Sequence, residues 1–185
     1  MKPVTSGDFA PHILVAMPSL QDGYFDKSVI LLCEYNANGA MGFVINSPSS
    51  TSVDDLLGEL GLNTDPPQSQ QILIGGPVQS ELCWVVHSPD FHGKSTTLLG
   101  DALALSAAQE VLTSIAEGSI PATYLLGVGY AGWGPGQLDG EIEQGAWWLA
   151  DMEPGKVIGF PAVERWERVM EILGLNTPYA TYCEA

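Results

Sequence analysis

Three short segments of this chain hold residues whose types and spacing could do chemistry. The first is Gly127-Val128-Gly129-Tyr130-Ala131-Gly132, which has the glycine spacing of a dinucleotide-binding turn and follows an apolar run. Asp151 lies at a distance that imitates the ribose-binding acid of such sites. That chemistry needs a helix to begin inside the glycines, so that its N-terminus meets the pyrophosphate. Here Gly134, Pro135 and Gly136 follow at once and no long amphipathic helix starts, so no nucleotide cofactor is expected. Two readings of the segment remain. Tyr130, Gly132, Trp133 and Gln137 can line a ligand site on a glycine-shaped loop whose amides form an anion nest. Alternatively, Trp133 plugs the core and the glycines make room for it.

The second segment is Gly75-Gly76-Pro77-Val78, which either offers two amides to a ligand or simply bends the chain between strands. The third holds His87 and His92 around Asp90. These residues have no third ligand at a familiar metal spacing, and Pro89 makes the segment irregular, so no metal site is expected. His87 ends the run Trp84-Val85-Val86 and reads as a partly buried, hydrogen-bonded histidine. It is also the one candidate general acid or base, because imidazole titrates near neutrality. A GxSxG elbow, a Walker A lysine loop and an HExxH helix are all absent from the sequence. Asp139, Glu141 and Glu143 resemble paired carboxylates but read as the solvated face of a short helix.

The elements that must position these residues follow from periodicity and punctuation. His12–Met17 reads as a first strand, and 28–35 with 42–46 as a hairpin around Asn36-Ala37-Asn38-Gly39. Ser52 and Asp55 have capping-box spacing ahead of a short helix that stops at Gly61. Strands are expected at 72–74, 82–87 and 94–99. Ser106 and Gln109 form a second capping box, opening a helix that closes near Gly118. Residues 123–128 read as a buried strand running into a long glycine-rich connection, Gly129 to Gln137. A short helix at 138–144, a strand at 146–150 and an amphipathic helix from Pro161 to Gly174 complete the reading. Strands outnumber helices and do not alternate with them, which favours an α+β class.

Composition bounds the function. The 185 residues, 45% apolar and only 15% charged, fit one globular domain spanning 1–185. Twenty-two acidic residues against six basic ones give a formal charge of −16, a field that repels nucleic acid and anionic membranes. The six basic residues are scattered and form no stripe for phosphates. No run is long and apolar enough for a membrane span, and the N-terminal residues do not read as a secretory signal. Cys33, Cys83 and Cys183 are an odd set without paired spacing, as expected in a reducing cytoplasm.

Several blocks carry a family resemblance: Leu14-Val15-Ala16-Met17-Pro18, Phe25 to Glu34, Gly39 to Asn46, and Gly75 to Val78, followed by His87. The most specific block is Gly129-Tyr130-Ala131-Gly132-Trp133, followed by Gly136-Gln137-Leu138, Glu141 and Trp147. In order and spacing the chain resembles the bacterial YqgE/AlgH family over nearly its whole length. The resemblance implies an α+β fold with a bifurcated β-sheet curled into a pseudo-barrel and a few flanking helices. Three departures stand out. Tyr35 replaces the family's histidine after the second strand, Asp139 replaces a more usual glutamate, and the tail from Thr181 is altered. The family is named partly for a proposed regulator of alginate genes, a label that carries no chemistry by itself. The expectation is therefore a cytoplasmic regulatory or small-ligand-binding protein that acts without direct DNA contact. Its site should gather Asn46, Gly75, Gly76, His87, Tyr130, Gly132, Trp133 and Gln137. Its partner is an unknown protein or small molecule, with neither metal nor organic cofactor. The alternatives are an enzyme on a small metabolite using His87, or an acidic protein-interaction module.

Overall fold

Strand β1 (His12–Ala16) is buried along almost its whole length, because apolar residues occupy both of its faces. Ile13 and Val15 enter one core, Leu14 and Ala16 another. Strand β2 (Val29–Asn36) repeats the pattern, with Val29 and Leu31 on the first side and Ile30 and Leu32 on the second. This two-sided burial explains why both segments read as unbroken apolar runs rather than alternating ones. The computed structural model describes residues 11–175, and the tail that includes Cys183 and Thr181 to Ala185 lies outside them.

The sheet runs β10-β1-β2-β3-β9-β6-β8-β7, every neighbouring pair antiparallel. Its members after β2 are β3 (Gly39–Val44), β4 (Pro48–Ser52), β5 (Gln71–Ile74), β6 (Val78–His87), β7 (Thr97–Leu99), β8 (Leu103–Ala107), β9 (Tyr124–Trp133) and β10 (Trp147–Ala150). The expected hairpin joins β2 to β3, where the Asn36 side chain accepts a hydrogen bond from the Asn38 amide at 2.8 Å. The sheet forks on β9. One edge of that strand pairs with β6, while the other is shared between β5, parallel at Gly127 and Val128, and β3, antiparallel at Ala131 to Trp133. The result is an α+β fold whose curled, bifurcated sheet closes part of a barrel.

Helix α1 (Val53–Glu59) begins at the predicted capping box, with the Asp55 amide donating to Ser52 Oγ and the Ser52 amide to Asp55. Helices α1 and α2 (Ala108–Ala116) cover a third core built on Val85 and Leu126. Helix α3 (Gln137–Glu143) closes the second core through Leu138. Helices α4 (Pro154–Ile158) and α5 (Arg165–Ile172) close the first through Val157, Trp166, Val169 and Met170.

Four sequence expectations need correction. The glycine-rich segment after Val128 is not a connection: β9 continues through it to Trp133, because β6, β5 and β3 supply ladder partners on both edges. The second capping box is absent, since Ser106 lies within β8 and α2 starts after Ala107 without a side-chain cap. Pro161 precedes a short 3-10 turn over 162–164 that leaves Val163 exposed, and the α-helix begins only at Arg165. Finally, Lys94 to Leu99 yields a strand only over its last three residues, while β4, β8 and α4 gave no sequence signal.

Candidate functional site

The glycines of β9 are used for close approach. The Trp84 indole lies over Gly127 and Gly75, where any Cβ would overlap its ring, and donates from Nε1 to the Gly129 carbonyl at 2.7 Å. Phe43 stacks on Trp84 at 4.3 Å between centroids. Gly129 sits at φ +72°, a left-handed conformation, and a Cβ there would press on the Gly76 carbonyl. Gly76 in turn lies against the Tyr130 backbone too closely for any side chain. Gly75 and Gly76 are both buried, and the Gly75 amide donates to Val128 O at 2.8 Å. The GxGxxG spacing thus records a strand crossing over a tryptophan, and the nearest helix, α3, starts only at Gln137.

Beside this crossing is a cavity of about 900 Å³ between β3, β6, β9 and the β7–β8 hairpin. Its walls are mainly apolar and aromatic, with Met41, Phe43, Trp84, Leu105, Tyr130 and Trp133 prominent. Its mouth is shaped by an irregular stretch of β6. Between the pairs Val78–Tyr130 and Cys83–Val128 that strand runs five residues against two, which throws Gln79 and Leu82 to the rim. Polar lining comes from Gln79, Ser95, Thr97 and Ser106, and among the described residues Glu34 is the one charged residue in the wall.

Ser106 connects the cavity to His87. The imidazole is 1% exposed, with Nε2 2.8 Å from Ser106 Oγ and Nδ1 2.8 Å from the Ser88 carbonyl. A carbonyl only accepts, so Nδ1 carries a proton. With a single ring proton, Nε2 then accepts from the Ser106 hydroxyl. Thr96 Oγ1 lies 2.8 Å from Ser106 Oγ and itself accepts from the Gly93 amide at 2.8 Å. Donors therefore run in one direction, from Gly93 through Thr96 and Ser106 to His87. Ser106 faces the cavity with its hydrogen already committed and only acceptor capacity to spare. Phe91 packs against the imidazole in a T-shaped arrangement, with ring centroids 5.2 Å apart.

The remaining predicted site residues have other partners. Asn46 accepts from the Val29 amide and donates to the Lys27 carbonyl, both at 2.8 Å, fastening the chain before β2. Gln137 folds back on the Gly134 amide and donates to Glu141 at 2.9 Å. Glu141, expected on a solvated face, accepts from the indoles of Trp133 at 2.9 Å and Trp147 at 2.8 Å. Tyr35, at the departing position, hydrogen-bonds Asp139; burial first, then that carboxylate, push its phenol up to about 12. Burial likewise holds the Cys33 thiol up at about 12. Asp90 is engaged by Ser88 and the Ala122 amide, and among the described residues no group of three or more His, Cys, Asp or Glu could hold a metal.

Of the predicted residues, the cavity therefore brings together Tyr130, Gly132 and Trp133. His87 reaches it only through Ser106, and Asn46, Gly75, Gly76 and Gln137 do not line it. Sequence reasoning missed Ser106, whose serine-to-glutamine spacing imitated a helix cap. Trp84 and Met41 were missed as well, although Trp84 opens the run Trp84-Val85-Val86 before His87 and Met41 lies in the block from Gly39 to Asn46.

A forked antiparallel sheet with one parallel strand at the fork, helices on its faces and an aromatic cavity beside the crossing defines the class of protein. The chain belongs to the AlgH-like family, whose profile matches residues 13–178. It is 34% identical over 171 residues to a UPF0301 protein of Vibrio cholerae, covering 89% of this chain and 91% of the relative. To a UPF0301 protein of Chromobacterium violaceum it is 37% identical over 167 residues, covering 89% and 90% respectively. The solution structure of the AlgH protein from Pseudomonas aeruginosa superposes with a TM-score of 0.76 at 36% identity, over 100% of this chain and 98% of that one. Among the described residues no helix is long and apolar enough to cross a membrane.

Proposed function

We propose that this chain works as one domain that binds a small molecule in the cavity between β3, β6 and β9, and that binding serves a regulatory role without direct DNA contact. The observation that carries this reading is the cavity itself. It has a volume in the range of small-molecule sites, mostly apolar and aromatic walls, and a few fixed polar groups. The lining also sets the ligand's chemistry. Ser106 and Glu34 offer acceptors, which favours a ligand with a hydrogen-bond donor such as a hydroxyl or amine on an apolar body, while Gln79 and Thr97 can meet an acceptor on it. The acidic surface argues against nucleic acid as the partner, and the free thiols of Cys33 and Cys83 suit a reducing cytoplasm.

Gly132→Val supplies the test. Gly132 lines the cavity on β9, and a Cβ there makes only an ordinary contact with the Tyr130 ring at 3.5 Å. The valine suits a strand and fills the cavity. Ligand binding, followed by tryptophan fluorescence, should fall at least about tenfold while the circular dichroism is unchanged, a loss of about 1.4 kcal/mol. Equal binding by parent and variant would remove the cavity from the account.

One observation favours a second reading, an enzyme on a small metabolite. The Ser106–His87 hydrogen bond places a base behind a hydroxyl at the cavity wall. Any proton transfer by His87 passes through Ser106, so Ser106→Ala would abolish turnover under this reading. Under the binding reading it would only weaken affinity.

A further inference from the structure

Among the described residues, one cation is deeply buried. Arg165, at the start of α5, is 4% exposed. Its Nε donates to the Val157 carbonyl at 3.3 Å, Nη2 to Ile158 O at 2.8 Å, and Nη1 to Ile45 O. All three acceptors are neutral. Among the described residues no carboxylate lies within ion-pairing distance of Arg165, and the ion pair they do form is Arg168 with Glu164 on the surface. Scarcity does not explain this, because the sequence has 22 acidic residues for six basic ones. Buried charges are normally paired, since desolvating an ion costs more than neutral dipoles return. Burial accordingly draws the Arg165 pKa down to about 10, which leaves the group charged at neutral pH. A guanidinium has about five N–H donors, and the three named bonds leave two to spare.

Arg165 also lines a cavity of about 660 Å³, separate from the aromatic one, between β4, β5, the start of β9 and the 158–162 segment. Among the described residues no aspartate, glutamate or lysine lines this cavity, and Arg165 is the one charged residue in its wall. The remaining polar lining is amide and hydroxyl. Gln70 donates to the Tyr124 carbonyl at 2.9 Å and the Tyr124 hydroxyl to Gln68 at 3.0 Å, which fixes that side. Gln71 and Thr123 line the same space. On a molecule with so large an acid excess, a cavity free of acids with a cation in its wall is the place where an anion is least repelled.

We propose that this second cavity binds a small oxyanion-bearing metabolite, with Arg165 as the counter-ion to its carboxylate or phosphate and the Gln71 and Thr123 side chains facing its polar body. The planar guanidinium fork matches the paired oxygens of either group. The site is distinct from the aromatic cavity and does not depend on what occupies that one.

The test uses the full chain, titrated by calorimetry with acetate, pyruvate, succinate and inorganic phosphate, the last arm separating phosphate from carboxylate. At least one should bind saturably, and amide resonances of Thr123, Tyr124 and Gly159 should shift with it. Because Arg165→Gln could disturb folding, the decisive pair is Ala122→Glu and Ala122→Gln at the cavity wall, where Ala122 is exposed. The glutamate should weaken binding about tenfold or more by supplying a competing carboxylate, while the glutamine stays within about threefold. The absence of saturable binding up to about 10 mM of every probe would overturn the proposal. Equal losses from both variants would overturn it as well.

Discussion

Glu141 offers the sharpest energetic prediction. One carboxylate accepts from two indoles, Trp133 and Trp147, which are 8% and 3% exposed, and from the Gln137 amide. It ties β9, α3 and β10 together at the edge of the second core. Glu141→Ala leaves two largely buried N–H groups without acceptors, each worth about 1–3 kcal/mol when orphaned. The bonds are only part-buried, so water recovers some of this, and the expected loss is about 2–4 kcal/mol. Glu141→Gln keeps a carbonyl oxygen that can accept from both indoles. It exchanges charge-assisted bonds for neutral ones of roughly half the strength, so its loss should be about 1 kcal/mol. Urea denaturation followed by tryptophan fluorescence measures both, with an unchanged m-value confirming comparable unfolding. For a chain of this size the alanine variant should also melt roughly 6–12 °C lower. The reasoning fails if Glu141→Ala lies within about 1 kcal/mol of the parent, or if Glu141→Gln is as damaging as the alanine.

Four further outcomes follow from the structure and the charge of the chain. Gly127→Ala should cost about 1–3 kcal/mol and shift the Trp84 emission, because its Cβ overlaps the indole. Gly140→Ala in α3, facing open space, should instead be neutral or stabilising by up to about 1 kcal/mol, read from the same urea curves. The Glu110 carboxyl is held below its ordinary 4.5 by the Ser95 hydroxyl and then by the Ser95 and Lys94 amides. Its contribution is present above the unfolded pKa and is lost as pH falls through the lower folded value, so Glu110→Gln should flatten the acid limb of a stability–pH curve below about pH 4.5. Titration with random duplex DNA near 50 mM salt should show no micromolar binding, and salt-sensitive micromolar binding would refute the charge argument.

Much of the fold was legible because local signals agreed with tertiary pairing. The Asn36-Ala37-Asn38-Gly39 turn and the Ser52–Asp55 cap each required only near neighbours, and the apolar runs of β1 and β2 are buried on both faces as their composition suggests. The misreadings share a cause, since in each a distant partner overrides a local preference. Glycines that weaken an isolated strand are tolerated in β9 because three strands bond to it and Trp84 needs the space. Ser106 has the spacing of a cap but is taken by β8 pairing with β6, and its hydroxyl by His87. Glu141 read as part of a solvated face beside Asp139 and Glu143, and Arg165 as one of six scattered basic residues. Their partners, the carbonyls of Ile45 and Ile158 and the two indoles, are set by packing that no helical period encodes. Of the residues that line the cavity, Tyr130, Gly132 and Trp133 were among those the sequence singled out. The β6 and β8 side was not, because it depends on how far the sheet curls.

The central claim, that the aromatic cavity is the binding site, is tested most directly by titrating ¹⁵N-labelled protein with a fragment set of small aromatic alcohols and amines. The account predicts saturable shifts confined to Met41, Cys83, Ser106 and Gly132 and their neighbours, weaker or absent for matched fragments lacking a donor, and lost in Gly132→Val. Binding that maps to another surface, or no saturable binding by any donor-bearing fragment, would contradict it.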